Sequence, residues 1–308
     1  MSMFLYLGLP PLAIYALVSR YLLKNPHHLH KRKQPAFYCT HISHRGGSGE
    51  RIESTMEAFT HAVEQGTEML EMDCHLTQDG YVVVSHDENL KRQTGQDVNI
   101  SSLNLEELPL YNESLEVTFH AGHHSTGTDR KIALLEDVFR KFPQIPISIE
   151  IKENNQQLMQ EISNMVKRYN RENITVWASV DSTILKKCRS INSSMPYSFS
   201  MKRGVLVLLL FYIGLLPFVP LGESLLQFYL PRIINRFAFP VKDTVLKSMI
   251  TMRKSLFKHL AARGIQVHLF VCNEHKDIKE AFELGVTGVM TDYPSLLSSY
   301  IQTYRSQH

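Results

Sequence analysis

Two histidines, two carboxylates and an arginine that could carry out acid–base and metal chemistry lie in the first third of this chain. His44 and Arg45 directly precede two glycines. Glu71 and Asp73 are separated by one residue, and His86 follows a short apolar run. Alternate residues of a strand point to the same face, so Glu71 and Asp73 can share one ion. The set suits a divalent cation that holds a phosphate while two imidazoles transfer protons.

A later segment, 147–152, adds a third carboxylate to this set. Its alternating pattern puts Glu150 and Lys152 on one face of a strand. Glu150 would complete a three-carboxylate oxygen site for a hard cation such as Ca²⁺ or Mg²⁺. The ammonium group of Lys152 would offset phosphate charge. An ordinary polar strand end explains any one of these residues, but it explains the whole set poorly.

In the order and spacing of these motifs, the chain resembles the glycerophosphodiester phosphodiesterase family from residue 40 to residue 297. The family's opening His-Arg-Gly matches residues 44–46, and its Glu-Asn-Thr matches residues 53–55, where Ser54 replaces asparagine. Phe270 stands where the family usually has tryptophan, which keeps an aromatic wall but loses an N–H donor. The remaining motifs match residues 71–73, 77–80, 82–87, 150–152 and 288–294.

The resemblance implies a role for the polar and aromatic residues of these motifs. They are the acid and base His44 and His86, the metal ligands Glu71, Asp73 and Glu150, the phosphate contacts Arg45 and Lys152, and the supporting residues Glu53, Asn273, Asp292 and Phe270. The resemblance favours Ca²⁺ as the cation, with Mg²⁺ as the alternative. Within the family, the apolar N-terminus and segment 214–220 resemble the vertebrate membrane-bound lysophospholipase D branch.

Membership of that branch would imply lysophospholipid substrates, namely lysophosphatidylcholine, lysophosphatidylethanolamine and N-acyl forms, which are cut to lysophosphatidic acid and a free alcohol. Three alternatives stay open: water-soluble glycerophosphodiesters as substrates, a non-catalytic membrane lipid-binding protein, and a phosphoinositide-cleaving phospholipase C. The chain keeps both histidines and all three carboxylates of the family's motifs, which argues against a non-catalytic lipid-binding protein. The pair Glu71 and Asp73, with segment 80–86, argues against the third.

Composition excludes several other classes of protein. The chain has 308 residues, of which 44% are hydrophobic, so it can bury a full core. Its net charge of +3 is too small to indicate nucleic-acid binding. The four cysteines are far apart and show no CxxC spacing, so we expect reduced thiols rather than a disulfide framework or a zinc site. Nothing in the sequence indicates an obligate protein partner.

Two uncharged runs indicate contact with a membrane. Because about 20 apolar residues span a bilayer, we predict a transmembrane anchor at 1–23, a basic juxtamembrane linker at 24–39 and a catalytic barrel at 40–308. Basic residues follow the first run rather than precede it, which argues against a cleaved signal peptide. We expect the second run, 204–222, to lie at the membrane interface, because barrel strands stand on both sides of it. The expected localisation is a membrane, at the endoplasmic reticulum or around the nucleus.

From residue 40 onward, apolar runs alternate with helical stretches. This pattern predicts an α/β fold, a TIM-type (β/α)8 barrel with an N-terminal membrane helix and an apolar insertion. The active site of such a barrel lies where its strands end, and the predicted site residues fall at these positions. The predicted strands are 41–44, 69–73, 82–86, 147–151, 174–178, 197–200, 233–239, 266–271 and 288–291, and the predicted helices are 55–65, 134–141, 156–169, 182–190, 247–263 and 277–284.

Overall fold

A computed structural model describes residues 2–231, 233 and 250–307 of the chain. Its strands are β1 (His41–Ser43), β2 (Met69–Leu76), β3 (Val82–Val84), β4 (Ser114–Glu116), β5 (His124–Thr126), β6 (Ala133–Leu134), β7 (Ile147–Glu150), β8 (Thr175–Ala178), β9 (Leu225–Tyr229), β10 (Gln266–Phe270) and β11 (Gly288–Thr291).

Parallel pairing closes a ring of strands. Strands β1, β2, β7 and β8 are parallel neighbours in that order, and β9, β10 and β11 continue in the same way. Parallel bridges at Tyr197 and Ser198 join β8 to β9, and β11 pairs with β1. With the bridged segment 197–198 the ring has eight parallel members, so the predicted TIM-type barrel is confirmed.

Helices follow the strands along the chain. They are α1 (Ser2–Lys24), α2 (Met56–Glu64), α3 (Lys91–Thr94), α4 (Leu135–Lys141), α5 (Gln156–Arg168), α6 (Ser182–Ile191), α7 (Met201–Tyr212), α8 (Lys254–Ala262), α9 (His275–Glu283) and α10 (Pro294–Gln307), with 3₁₀ turns at Pro26–His28, His44–Gly46, Ile100–Ser102, Leu105–Glu107 and Leu216–Phe218. Side-chain caps fix where several helices begin. The hydroxyl of Thr55 accepts a hydrogen bond from the Ala58 N–H at the start of α2, and Asp181 caps α6 in the same way.

The main core lies between the barrel and its helices. Met72 and Cys74 of β2 pack into it, because successive strand residues face opposite sides of the strand. Glu71 and Asp73 therefore face the interior of the barrel. All four cysteines are free thiols, as expected, and all four are buried, which the sequence did not predict.

Two strand predictions were wrong in detail. The sixth barrel strand is β9, whereas the segment predicted for it, 233–239, lies outside the described residues except for Ile233. β9 comes soon after an uncharged run, where periodicity does not separate a buried strand from a buried helix. The predicted strand 197–200 is reduced to two bridges.

The helix predicted at 247–263 is found as α8, from Lys254 to Ala262, and residues 247–249 lie outside the described part.

The transmembrane anchor predicted at 1–23 is not supported. The segment does form the helix α1, which contains Pro10 and Pro11. No helix in the described part of the chain is long and apolar enough to cross a membrane. The second half of α1 is instead docked on the rest of the protein. Leu22 is buried, and the hydroxyl of Ser19 donates a 2.6 Å hydrogen bond to the carbonyl of Gly214.

The apolar run 204–222 forms most of α7, a turn and a 3₁₀ helix. At 12 residues, α7 is about 18 Å long, which is shorter than the roughly 30 Å of a bilayer's hydrocarbon core. The run is apolar all round, and in the structure one side of it is buried and the other is exposed. Val207 and Leu216 pack into the core, whereas Leu209 is exposed. The run lies beside α1, because the Tyr15 hydroxyl donates to the carbonyl of Ile213 at 2.6 Å.

Candidate active site

Three carboxylates meet inside the barrel. β2 and β7 are parallel neighbours with Asp73 in register with Glu150, and Glu71 lies two residues earlier on β2. One oxygen from each of the three side chains lies within 4.8 Å of the others. Oδ2 of Asp73 is buried and accepts no hydrogen bond from any residue in the described part of the chain. Such a buried oxygen is costly without a partner, and three carboxylates are the ligands that a hard divalent cation prefers. The residues therefore fit a metal site.

Burial and neighbouring charges shift the pKa values of these three carboxylates. Burial, followed by the charge of Asp73, raises the pKa of Glu71 and raises the pKa of Glu150 to about 7. Burial also opposes ionisation of Asp73, but the charge of Lys152 helps to hold its pKa below the usual value. Nζ of Lys152 lies 2.8 Å from Asp73 Oδ1. A bound cation would favour the ionised form of all three carboxylates.

The two predicted catalytic histidines line the same cavity as these carboxylates. Nδ1 of His44 lies 2.7 Å from Asp292 Oδ1, and Nδ1 of His86 lies 2.5 Å from Asp87 Oδ1. A carboxylate on Nδ1 orients each ring and leaves Nε2 to exchange protons. Burial lowers the pKa of His44, but the charge and hydrogen bond of Asp292, together with the charge of Glu71, outweigh burial and raise that pKa. Burial lowers the pKa of His86 more than its hydrogen bond with Asp87 raises it.

Asp292 is the centre of a buried hydrogen-bond network. Its Oδ1 accepts a 2.6 Å hydrogen bond from the Ser48 hydroxyl, and its Oδ2 accepts a 2.7 Å bond from Nδ2 of Asn273. The Asp292 N–H donates in return to Oδ1 of Asn273 at 2.9 Å. Asn273 and Asp292 therefore hold His44 in place rather than facing the carboxylates. The sequence motifs did not single out Ser48.

Arg45 is buried beside the carboxylates and held by an ion pair. Its Nη1 donates to Glu53 Oε2 at 3.2 Å and to the Thr118 hydroxyl at 3.1 Å. Glu53 also accepts from Arg92 at 2.6 Å and from Gln93 at 2.7 Å. Burial raises the pKa of Glu53, but the charges of Arg45 and Arg92 outweigh it and lower the pKa to about 2. Glu53 thus remains charged and fixes the guanidinium of Arg45.

The backbone around Arg45 is left-handed. Arg45 has φ +49°, Gly46 has φ +78°, and a Cβ on Gly46 would lie 2.7 Å from the ring of Phe59. Glycine is therefore required there. Ser54, which replaces the family's asparagine, also has a positive φ of +60°. Asparagine tolerates this conformation better than serine does, and the Ser54 hydroxyl is buried with no partner among the described residues.

An aromatic wall closes one side of the cavity. The rings of Phe119, Tyr229 and Phe270 follow one another, with centroids 5.8 Å and then 4.1 Å apart. The ring of Phe119 also meets His44 edge-on at 5.5 Å. Phe270 thus lies in an aromatic wall, as the sequence predicted. The sequence did not reveal Phe119 or Tyr229, because neither belongs to a chemical motif.

A second cluster could hold a metal by its composition alone. Nδ1 of His75 lies 2.5 Å from Glu153 and 3.2 Å from Glu88. Burial lowers the pKa of His75, but the hydrogen bond and charge of Glu153 outweigh it and raise that pKa. The imidazole of His75 thus already has two carboxylate partners.

An oxygen-ligand site beside an acid–base pair, at the carboxyl ends of the strands of a parallel barrel, suits hydrolysis of a phosphodiester. The chain belongs to the glycerophosphoryl diester phosphodiesterase family, whose sequence profile matches residues 44–296. It is therefore a phosphoric diester hydrolase, and the predicted family is confirmed.

Several known proteins are similar over nearly the whole chain. Lysophospholipase D GDPD3 of Homo sapiens is 47% identical over 99% of this chain and 98% of its own length. Lysophospholipase D GDPD1 of Homo sapiens is 50% identical over 94% of this chain and 95% of its own length. The predicted resemblance to the lysophospholipase D relatives within the family is thereby confirmed.

Solved structures share the fold. The glycerophosphodiester phosphodiesterase of Thermotoga maritima has a TM-score of 0.57 at 24% identity and covers 85% of this chain and 98% of its own. The enzyme of Agrobacterium tumefaciens has a TM-score of 0.60 at 16% identity and covers 84% of this chain and 99% of its own.

Proposed function

We propose that this protein is a divalent-cation-dependent lysophospholipase D that cuts lysophospholipids, among them lysophosphatidylcholine, lysophosphatidylethanolamine and N-acyl forms, to lysophosphatidic acid and the head-group alcohol. One observation carries the proposal: three convergent carboxylates and two carboxylate-backed histidines line one cavity with an aromatic wall. The relatives named lysophospholipase D support the same reaction.

Glu71, Asp73 and Glu150 would hold the cation, which supplies charge neutralisation of the phosphate when bound. We favour Ca²⁺ over Mg²⁺, because Ca²⁺ accepts irregular carboxylate sites whereas Mg²⁺ demands near-octahedral geometry. Arg45 and Lys152 also line this cavity and add positive charge to it. Their placement supports binding of a phosphate.

His44 and His86 act as the acid–base pair. One imidazole takes a proton from the attacking oxygen, and the other gives a proton to the oxygen of the leaving alcohol. The free hydroxyl of a lysophospholipid can attack first and form a cyclic phosphate, which water then opens. Two histidines that exchange roles serve this path as well as direct attack by water. Asp292 and Asp87 hold the rings so that Nε2 is the nitrogen that exchanges the proton.

Membrane contact is the second part of the proposal. Leu12, Leu17 and Leu209 are 62%, 69% and 57% exposed on α1 and α7. The two helices are joined by the hydrogen bond from Tyr15 to Ile213. Exposed apolar side chains on two neighbouring helices can form an interaction surface, and we propose that this surface rests on the bilayer in which the substrate resides. Localisation at a membrane of the endoplasmic reticulum or around the nucleus stays a prediction.

A choline-release assay tests the proposal. Purified protein should release choline from palmitoyl lysophosphatidylcholine, EDTA should abolish the release, and Ca²⁺ should restore it. A Glu71→Gln/Asp73→Asn double variant should be inactive at every Ca²⁺ concentration. Undiminished turnover in EDTA would contradict the role of the cation. Turnover of glycerophosphocholine alone would support the water-soluble alternative, and turnover of neither substrate would support a lipid-binding protein.

A further inference from the structure

We propose that a cleft beside the catalytic cavity binds the acyl chain of the lysophospholipid. This inference rests on the proposed lysophospholipase D function and assigns a place to the part of the substrate that does not react. The cleft has a volume of about 70 Å³, so it takes a segment of the acyl chain rather than the whole of it. Its walls include the apolar side chains Val180, Phe199, Met201, Leu226 and Phe228.

The cleft adjoins the catalytic cavity. Both are lined by Glu150, Tyr229 and Phe270, so a metal-ligand carboxylate and the aromatic wall stand at their junction. A molecule whose phosphate lies beside Glu150 therefore has the cleft next to the groups that are joined to that phosphate.

The walls of the cleft match a hydrocarbon chain rather than a charged head group. Phe199 and Leu226 line it while remaining almost inaccessible to water, at 6% and 7% exposure. Val180 and Met201 are 59% and 50% exposed. Met201 begins α7, whose outer face carries the exposed apolar side chains described above. The cleft thus adjoins the surface that we propose for the bilayer.

Gly204 supports the same interpretation. It lies inside the helix α7 and lines the cleft. Glycine weakens a helix interior relative to alanine, so its presence there needs a reason. A Cβ at Gly204 would meet no atom within 4 Å among the described residues, so packing does not require glycine. A Cβ at Gly214, by contrast, would lie 2.9 Å from the hydroxyl of Ser19. The absence of a side chain at Gly204 keeps the cleft open.

Gly204→Phe should block the cleft. The measurement is the ratio of kcat/KM for palmitoyl lysophosphatidylcholine, kept below its micellar concentration, to kcat/KM for glycerophosphocholine. Each methylene kept out of an apolar site costs about fourfold, so exclusion of two or more lowers the ratio at least about tenfold. The loss should shrink for hexanoyl lysophosphatidylcholine, whose chain reaches less far. Val205→Phe is the matched control, because Val205 is 50% exposed on the same helix and does not line the cleft. It should leave the ratio unchanged.

The outcomes separate this inference from the function on which it rests. If the wild-type protein releases no choline from lysophosphatidylcholine, the proposed function fails and the cleft assignment fails with it. If it does release choline, and folded Gly204→Phe keeps the wild-type ratio, the cleft assignment alone is wrong. Should Gly204→Phe lower the thermal unfolding midpoint strongly, Met201→Glu decides, because Met201 is half exposed. A charge there should lower the ratio, and an unchanged ratio overturns the assignment.

Discussion

Asp292→Asn isolates the negative charge that stands behind His44. Asp292 is fully buried, and its Oδ1 lies 2.7 Å from Nδ1 of His44. The asparagine keeps the size of the side chain but loses the charge that stabilises the imidazolium. A hydrogen bond to a charged group contributes about 1.5–3 kcal/mol, and each 1.36 kcal/mol is tenfold in rate. We therefore expect kcat to fall roughly 10- to 150-fold.

The assay is choline release at saturating substrate, followed across pH. Asp292 raises the pKa of His44, so the limb of the kcat profile that reports this histidine should move to lower pH in the variant. Ser48→Ala is the matched control, because it removes another hydrogen bond to the same oxygen and leaves the charge. It should cost only a few-fold in kcat. A folded Asp292→Asn variant with kcat within twofold of wild type would refute the role given to Asp292.

Three further predictions concern single residues. His44→Ala and His86→Ala should each lower kcat by about 10²–10⁴-fold with the thermal unfolding midpoint retained, and substantial activity in either would contradict the two-histidine mechanism. Burial lowers the pKa of His268 to about 4, so the unfolded chain binds more protons between about pH 6.5 and 4. The free energy of unfolding should therefore fall with falling pH in that window, by at most about 1.4 kcal/mol per pH unit for this group, and His268→Leu should flatten the slope measured by urea unfolding. Ser54→Gly should raise the free energy of unfolding by about 1 kcal/mol by removing left-handed strain, and an equal or lower value would show that Ser54 is not strained.

The barrel and the carboxylate site could be predicted because their signals are local. Strand and helix periodicities alternate along the chain, and Glu71 and Asp73 share a face through the period of two. The parallel register then brings Asp73 beside Glu150. The two-residue repeat of strand side chains and the geometry of parallel sheets are enough to predict that these carboxylates lie side by side.

Other parts of the site depend on tertiary contacts that no local pattern encodes. Phe119 lies in a long irregular segment, and Tyr229 lies on a strand that follows an apolar run, so periodicity indicates neither. Asp87 could have been found, because it directly follows His86. The anchor at 1–23 was predicted from the apolar character of the segment. That character does not predict the contacts by which Ser19 and Leu22 dock on the rest of the protein.

The identity of the products tests the central claim most directly. Purified protein should be incubated with palmitoyl lysophosphatidylcholine and Ca²⁺, and the products should be identified by mass spectrometry. The proposed function predicts palmitoyl lysophosphatidic acid and choline in equal amounts, with neither formed by His44→Ala. Monoacylglycerol and phosphocholine, or free palmitate and glycerophosphocholine, would contradict it.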